Sequence, residues 1–148
     1  MNDLVARAFT SAGIPSSTEP HGLVRSDGKR PDGLTLVPWK GGNPLAWDVT
    51  AICTVADSYV AATAREAGAA AERAAELKIS KYSGLENKCV FQPIAVESLG
   101  PLNETACYFL KDLGRGISAQ SDDERERECL PVPKVICCHS AIQRYLAP

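Results

Sequence analysis

The sequence predicts an α/β layered domain built on one small sheet, and three observations carry that expectation. A run rich in Ala, Glu, Arg and Lys, "YVAATAREAGAAAERAAELKISKY", has the composition of a long helix. Two β-rich runs, "GLTLVPW" and "LAWDVTAICTV", flank the turn-forming "KGGNP". A third, "CVFQPIAVESLG", follows the long helix, and strands alternating with helices are the mark of an α/β domain.

The elements follow in order. Leu4, Val5, Ala8, Phe9 and Ala12 recur at helical spacing after Asn2 or Asp3, either of which can cap an opening helix that Gly13 ends. "PSSTEPHGLVRSDGKRP" is a turn-bearing loop with a brief extended piece expected at Leu23–Val24. "GLTLVPW", stopped by Pro38, and "LAWDVTAICTV" then form a hairpin. Alternation sends Leu45, Trp47, Val49 and Ala51 to one face of the second strand, and Ala46, Asp48, Thr50 and Ile52 to the other.

Asp57–Ser58 is a good cap for the long helix, with Gly68 a candidate kink and Gly84 a candidate terminator. Lys78, Lys81 and Tyr82 share one face of its last turns. Pro93 argues that the next strand lies at a sheet edge or carries a bulge. "NETACYFLKDLGRGIS" reads as a helix capped by Asn103, with Ala106, Phe109, Leu110 and Leu113 as its apolar stripe. A terminal helix is expected over "CCHSAIQRYL".

With 148 residues, 45% hydrophobic and 23% charged, the chain is one soluble domain's worth of ordinary composition. A net charge of -2 excludes a binder that holds nucleic acid by bulk positive charge, so any DNA contact is local and weak for the chain alone. No apolar run spans a membrane and no basic, apolar leader opens the chain, so an intracellular site, nucleus or cytoplasm, is expected, with no membrane partner. The six cysteines show no CxxC spacing and are read as reduced thiols. A zinc module from Cys129, Cys137, Cys138 and His139 is a minor alternative.

Two acids stand out. Asp32 opens the first strand of the hairpin and Asp48 lies inside the second, where a buried carboxylate is costly unless paired or bound to a cation. If they converge, one Mg²⁺ can take both, and a lysine nearby can hold an attacking water and offset charge on a phosphate. Lys78 or Lys81 can serve only if the long helix packs on the Asp48 face. The plainer readings are an Asx turn from Asp32 to the Gly33 or Thr35 amide, and a structural pair of Asp48 with Arg30 or Lys78. The lysines would then simply complement the helix dipole.

"RPDG", "WDVT" and "KISKY", within "HGLVRSDGKRPDGLTLVPW", "AGAAAERAAELKISKYSGL" and "FQPIAVESLGPLN", resemble the restriction-endonuclease-like nucleases of the PD-(D/E)XK superfamily. More closely, they are similar to the segment downstream of reverse transcriptase in animal non-LTR retrotransposons. The resemblance covers roughly residues 14 to 120. It implies a small mixed β-sheet flanked by helices over residues 1–120, followed at 121–148 by a divergent, charged and Cys-containing tail. It implies Asp32 and Asp48 as ligands of Mg or Mn, Lys78 or Lys81 as the catalytic lysine moved to a helix, and Glu97 as an outer acid or a solvent-facing one. Thr50 stands where the pattern usually has its lysine.

The activity so implied is DNA phosphodiester hydrolysis leaving a 3′-hydroxyl, an end that primes reverse transcription in such elements. A reverse transcriptase domain is the implied partner in full-length relatives. The alternative is a catalytically inactive remnant acting as a structural or interaction domain.

Overall fold

The computed structural model of the chain describes residues 1–24, 27–54, 56, 59–60, 66–85, 87–98 and 100–121. Among them, four strands form one mixed sheet in the order β1-β2-β3-β4. They are β1 (Ser16–Thr18), β2 (Gly33–Thr35), β3 (Leu45–Ile52) and β4 (Val90–Glu97). Three α-helices accompany them: α1 (Asn2–Ser11), α2 (Ala69–Tyr82) and α3 (Glu104–Ser121). None of the described helices is long and apolar enough to cross a membrane. The α/β class with a small mixed sheet and flanking helices is as expected.

Strands β1, β2 and β3 pair antiparallel, and β3 pairs parallel with β4. Parallel neighbours need a crossover, and α2 supplies it. The expected hairpin is present as β2 and β3. The first strand, however, stops at Thr35, short of Pro38, because the Thr35 hydroxyl donates to Val37 O and accepts from Leu45 N. The expected extended piece at Leu23–Val24 is a 3₁₀ turn, His21–Leu23, and the extra strand lies earlier, at Ser16–Thr18. Three polar residues carry no apolar alternation, so pairing with β2 rather than patterning makes that strand.

The faces divide as alternation requires. Leu45 and Trp47 of β3 and Ile94 of β4 pack with Val5 and Phe9 of α1 and with Phe109 and Leu113 of α3. On the opposite face Ile52 and Ala95 meet Ala70, Ala71, Ala74 and Ala75 of α2, while Ala46 joins Tyr82, Leu85 and Cys89. Alanines bring the crossover helix close to the sheet. Pro93 sits on β4, an edge strand as expected, where a missing N–H breaks no further ladder.

The long helix is shorter than its composition suggests. Gly68 adopts φ 92, a left-handed conformation, so the helix starts after it instead of running through. The Asp57–Ser58 cap, the terminal "CCHSAIQRYL" helix and the residue 122–148 part of the tail lie outside the described residues. Gly13, as expected, closes α1: at φ 69 it donates to Thr10 O while Ile14 N donates to Phe9 O, the paired bonds of a Schellman ending.

The expected side-chain caps are used otherwise. No side chain caps α1; Asn2 Oδ1 instead accepts from Trp47 Nε1 at 2.9 Å. Asn103, fully buried ahead of α3, accepts from the Ala95 amide of β4 through Oδ1 at 2.8 Å. Both bonds tie a helix start to the sheet.

Gly33 is opposite Trp47, and a methyl built on it would run into the indole ring. The ring is fully buried and held by Asn2, so it has nowhere to move. Gly33→Ala is expected to cost roughly 1–3 kcal/mol, read as a lower urea midpoint at unchanged slope.

Candidate functional site

The β2–β3 hairpin brings the two acids to one face. Because Gly33 and Trp47 share a face, Asp32, one residue earlier, falls on the other with Asp48. Asp32 N donates to Trp47 O at 2.9 Å, and Val49 N donates to Asp32 Oδ2 at 2.7 Å. The expected Asx turn to Gly33 or Thr35 is therefore replaced by a bond across the hairpin. Among the described residues, Asp32 Oδ1 has no hydrogen-bond partner.

Asp48 is 4% exposed in the middle of β3. Helix α2 packs on the face that carries it, which meets the geometric condition set by the sequence. Lys78 Nζ forms a close ion pair with Asp48 Oδ2, while Tyr82 Oη stands 3.2 Å from Oδ1. Tyr82 Oη also lies 2.9 Å from Arg30 O, so the phenol joins the loop before β2 to the acid. Its ring is buried against Phe91, centroids 4.7 Å apart. Arg30 itself pairs with Glu19, not with Asp48.

The two lysines separate. Lys78 is committed to Asp48. Lys81 donates to Tyr82 Oη at 3.3 Å and lies 4.7 Å over the ring centre, and among the described residues it has no carboxylate within ion-pair distance. Burial lowers its pKa, and the positive charges of Lys78 and Lys29 lower it further, against the pull of Asp48 and Asp27. An ammonium so placed gains by meeting an anion.

Burial pushes the Asp32 carboxyl above the usual range, although the Val49 amide pulls it down. The charge of Asp48 adds to the rise and that of Lys78 opposes it. The two acids therefore feel one another.

Glu97 is neither outer acid nor solvent-facing. At 4% exposure it accepts from the amides of Ala70 and Ala71, at 3.0 and 3.2 Å, and so caps α2 from β4. No local pattern signals this cap, since it and the helix start are 27 residues apart. Tyr82, which shares a helix face with the two lysines, belongs to the site through its hydroxyl. Thr50, two residues beyond Asp48 on the same face, has a buried hydroxyl with no hydrogen-bond partner among the described residues.

Two carboxylates on one face suit Mg²⁺ or Mn²⁺, which need one or two such ligands with water and substrate oxygens completing the shell. The orphaned Thr50 oxygen nearby adds a hard donor. No group of three His, Cys, Asp or Glu side chains that could hold a metal ion gathers among the described residues, so an ion here would have two protein carboxylates and take the rest of its shell from water and substrate. Cys129, Cys137, Cys138 and His139 lie outside the described residues. A separate cleft of about 310 Å³, lined by Trp39, Leu45, Val90, Tyr108 and Phe109, opens away from these acids and holds none of them.

Two stability measurements test the arrangement. Because the native pKa of Asp32 is raised, the folded state binds the proton more readily, and stability falls as pH rises through that raised value. Asp32→Asn is thus expected to be more stable than the parent at neutral pH, with the gain vanishing below the ordinary carboxylate range; melts from pH 3 to 8 check it. Lys78→Met leaves the buried Asp48 without its cation and is expected to cost roughly 3 kcal/mol in urea unfolding at pH 7.

Compared with known proteins, the sequence matches no family model and has no significant match among curated proteins.

Proposed function

We propose that the chain is a metal-dependent DNA endonuclease domain of the restriction-endonuclease-like kind, cutting one strand by phosphodiester hydrolysis. The observation that carries this reading is the meeting, on one sheet face, of Asp32 and Asp48 from paired strands with Lys78 from the crossover helix. Their order along the chain is that of the endonuclease pattern, with the lysine reaching in from α2.

Mg²⁺ or Mn²⁺ held by Asp32 and Asp48 would polarise the phosphate and acidify water. The chain's own groups do the rest. Tyr82 fixes the Asp48 carboxylate, and Lys78 keeps its charge compensated while offering its remaining N–H donors to a water oxygen. Lys81, with no carboxylate of its own among the described residues, faces the incoming phosphodiester. The water oxygen forms the new bond to phosphorus and loses a proton to solvent. The P–O3′ bond breaks with its electron pair on O3′, which takes a proton from the Lys81 ammonium. A 3′-hydroxyl and a 5′-phosphate result, and solvent reprotonates Lys81.

A net charge of -2 leaves few phosphate contacts, so affinity for DNA is weak and falls with salt unless a neighbouring polymerase domain adds contacts. A second reading is favoured by one observation: both oxygens of Asp48 already have partners in Lys78 and Tyr82. That closed pair suits a remnant in which the cluster only joins α2 to the sheet.

Supercoiled plasmid with Mg²⁺ or Mn²⁺ separates the two. The nuclease reading expects nicking that Asp32→Ala and Asp48→Asn reduce by about a hundredfold or more. It also expects Mn²⁺ at a hundred times its dissociation constant to add about 2.7 kcal/mol of stability. Nicking that survives both substitutions, or a melt that Mn²⁺ leaves unmoved, would favour the remnant.

A further inference from the structure

Lys78 already supplies the positive charge that a metal ion would bring to Asp48. The two form a close ion pair in which the Asp48 side chain is only 5% exposed and that of Lys78 is 23% exposed, so the lysine is the partner nearer to solvent. Tyr82 holds the other oxygen less firmly. Its single hydrogen has two acceptors, Arg30 O at 2.9 Å and Asp48 Oδ1 at 3.2 Å, and Lys81 Nζ donates to the same phenol oxygen at 3.3 Å. With that hydrogen turned to the nearer acceptor, Arg30 O, Oδ1 is open. Lys78 is therefore the group that decides whether Asp48 can take another cation.

Asp32 differs. Its Oδ2 accepts from the Val49 amide at 2.7 Å, and no lysine or arginine pairs with it among the described residues. One of the two acids thus carries its own cation and the other does not. An ammonium and a divalent ion on the same carboxylate repel, and partial burial leaves that repulsion poorly screened. Lys81, close by through Tyr82, adds a further positive charge. Lys78 and a divalent ion therefore compete for Asp48.

We propose that Lys78 is the resident cation of the acid pair and gives way to Mg²⁺ or Mn²⁺, so that metal loading moves its ammonium off Asp48 and sets the affinity of the site. The exchange makes and breaks no covalent bond. The donor that the ion pair uses is released, and Lys78 then has all three N–H groups for water and substrate oxygens. Only molecules with Lys78 displaced accept the ion, so the apparent affinity is weaker than two carboxylates alone would give. Removing the ammonium should consequently tighten metal binding even as it weakens the fold, whereas a purely structural clamp predicts no response to metal. The inference rests on the metal site of the nuclease reading, and the test keeps the exchange and the nuclease apart.

Parent, Lys78→Met and Lys78→Arg proteins are titrated calorimetrically with Mn²⁺ and melted with and without it. Lys78→Met is expected to bind Mn²⁺ roughly tenfold tighter than the parent or more, as when the ammonium leaves Asp48 in a tenth of parent molecules or fewer. It should melt below the parent without metal and recover much of the gap with it. Lys78→Arg, which keeps the charge, should bind like the parent. Equal or weaker binding by Lys78→Met overturns the exchange and leaves the metal site standing. If Lys78→Met does not fold, the parent alone decides: Mn²⁺ should speed acetylation of Lys78 by an N-hydroxysuccinimide ester severalfold relative to the exposed Lys88, read by peptide mass spectrometry, and an unchanged ratio overturns the exchange. A parent that shows the exchange yet leaves supercoiled plasmid uncut removes the nuclease and keeps the exchange. Absence of Mn²⁺ binding in parent and variants removes both.

Discussion

A carboxylate at the centre of the sheet sets the terms for everything packed against it. Asp48 occupies a β3 position only 4% exposed, and an unpaired charge there would outweigh the gain from the alanine contacts beside it. The cation that answers it comes from α2, so the crossover helix has to lie along this face at one height. Lys78 and Tyr82 are one helical turn apart and grip the two oxygens of the same carboxylate, which fixes the helix in both rotation and register. Glu97 fixes the other end by capping Ala70 and Ala71. Between these polar clamps the buried helix residues packed on the sheet are alanines, and small side chains slide easily, so without the clamps the helix would have little reason to stop at one position.

The opposite face works by shape. Trp47 fills the space in front of Gly33, stacks near Phe9 with centroids 4.9 Å apart, and gives its indole N–H to Asn2. A single large side chain thus anchors β2 and α1 together. The rigidity bears on the acids because Asp32 and Asp48 are the chain neighbours of Gly33 and Trp47. Packing on one face holds the carboxylates in place on the other.

These particulars explain what could be read from the sequence. The β2–β3 hairpin, β4 and α3 follow from local patterns: turn residues between β-rich runs, Pro93 at an edge, and an apolar stripe whose four residues are all buried. The residues of the candidate site were nameable because strand alternation put Asp48 on a defined face and helical spacing put Lys78 and Tyr82 together. What escaped depends on partners far away in sequence. Strand β1 exists because β2 offers it a ladder, and the start of α2 depends on Gly68 turning left-handed and on a glutamate two elements later. Asn2 and Asn103 had the right chemistry for caps, yet the sheet competes for the same oxygens and takes them.

The two faces also differ in what they cost. The core cluster on the Trp47 side is apolar, and the indole N–H within it has its partner in Asn2. The Asp48 side contains a carboxyl whose pKa burial raises, an ammonium whose pKa burial lowers and a hydroxyl with no hydrogen-bond partner among the described residues. Stability alone favours a neutral residue at Asp32 and an apolar one at Thr50, and Asn and Val would fit the same space. A face that is strained in its charges while its packing is sound is what a binding site for a cation and an oxygen ligand requires, because those unmet interactions are the ones a ligand completes. A structural remnant has no need of them; its Asp48–Lys78–Tyr82 clamp would hold α2 equally well with Asp32 and Thr50 replaced. The excess of polar groups over what the clamp uses therefore weighs toward a site that acts on something outside the chain.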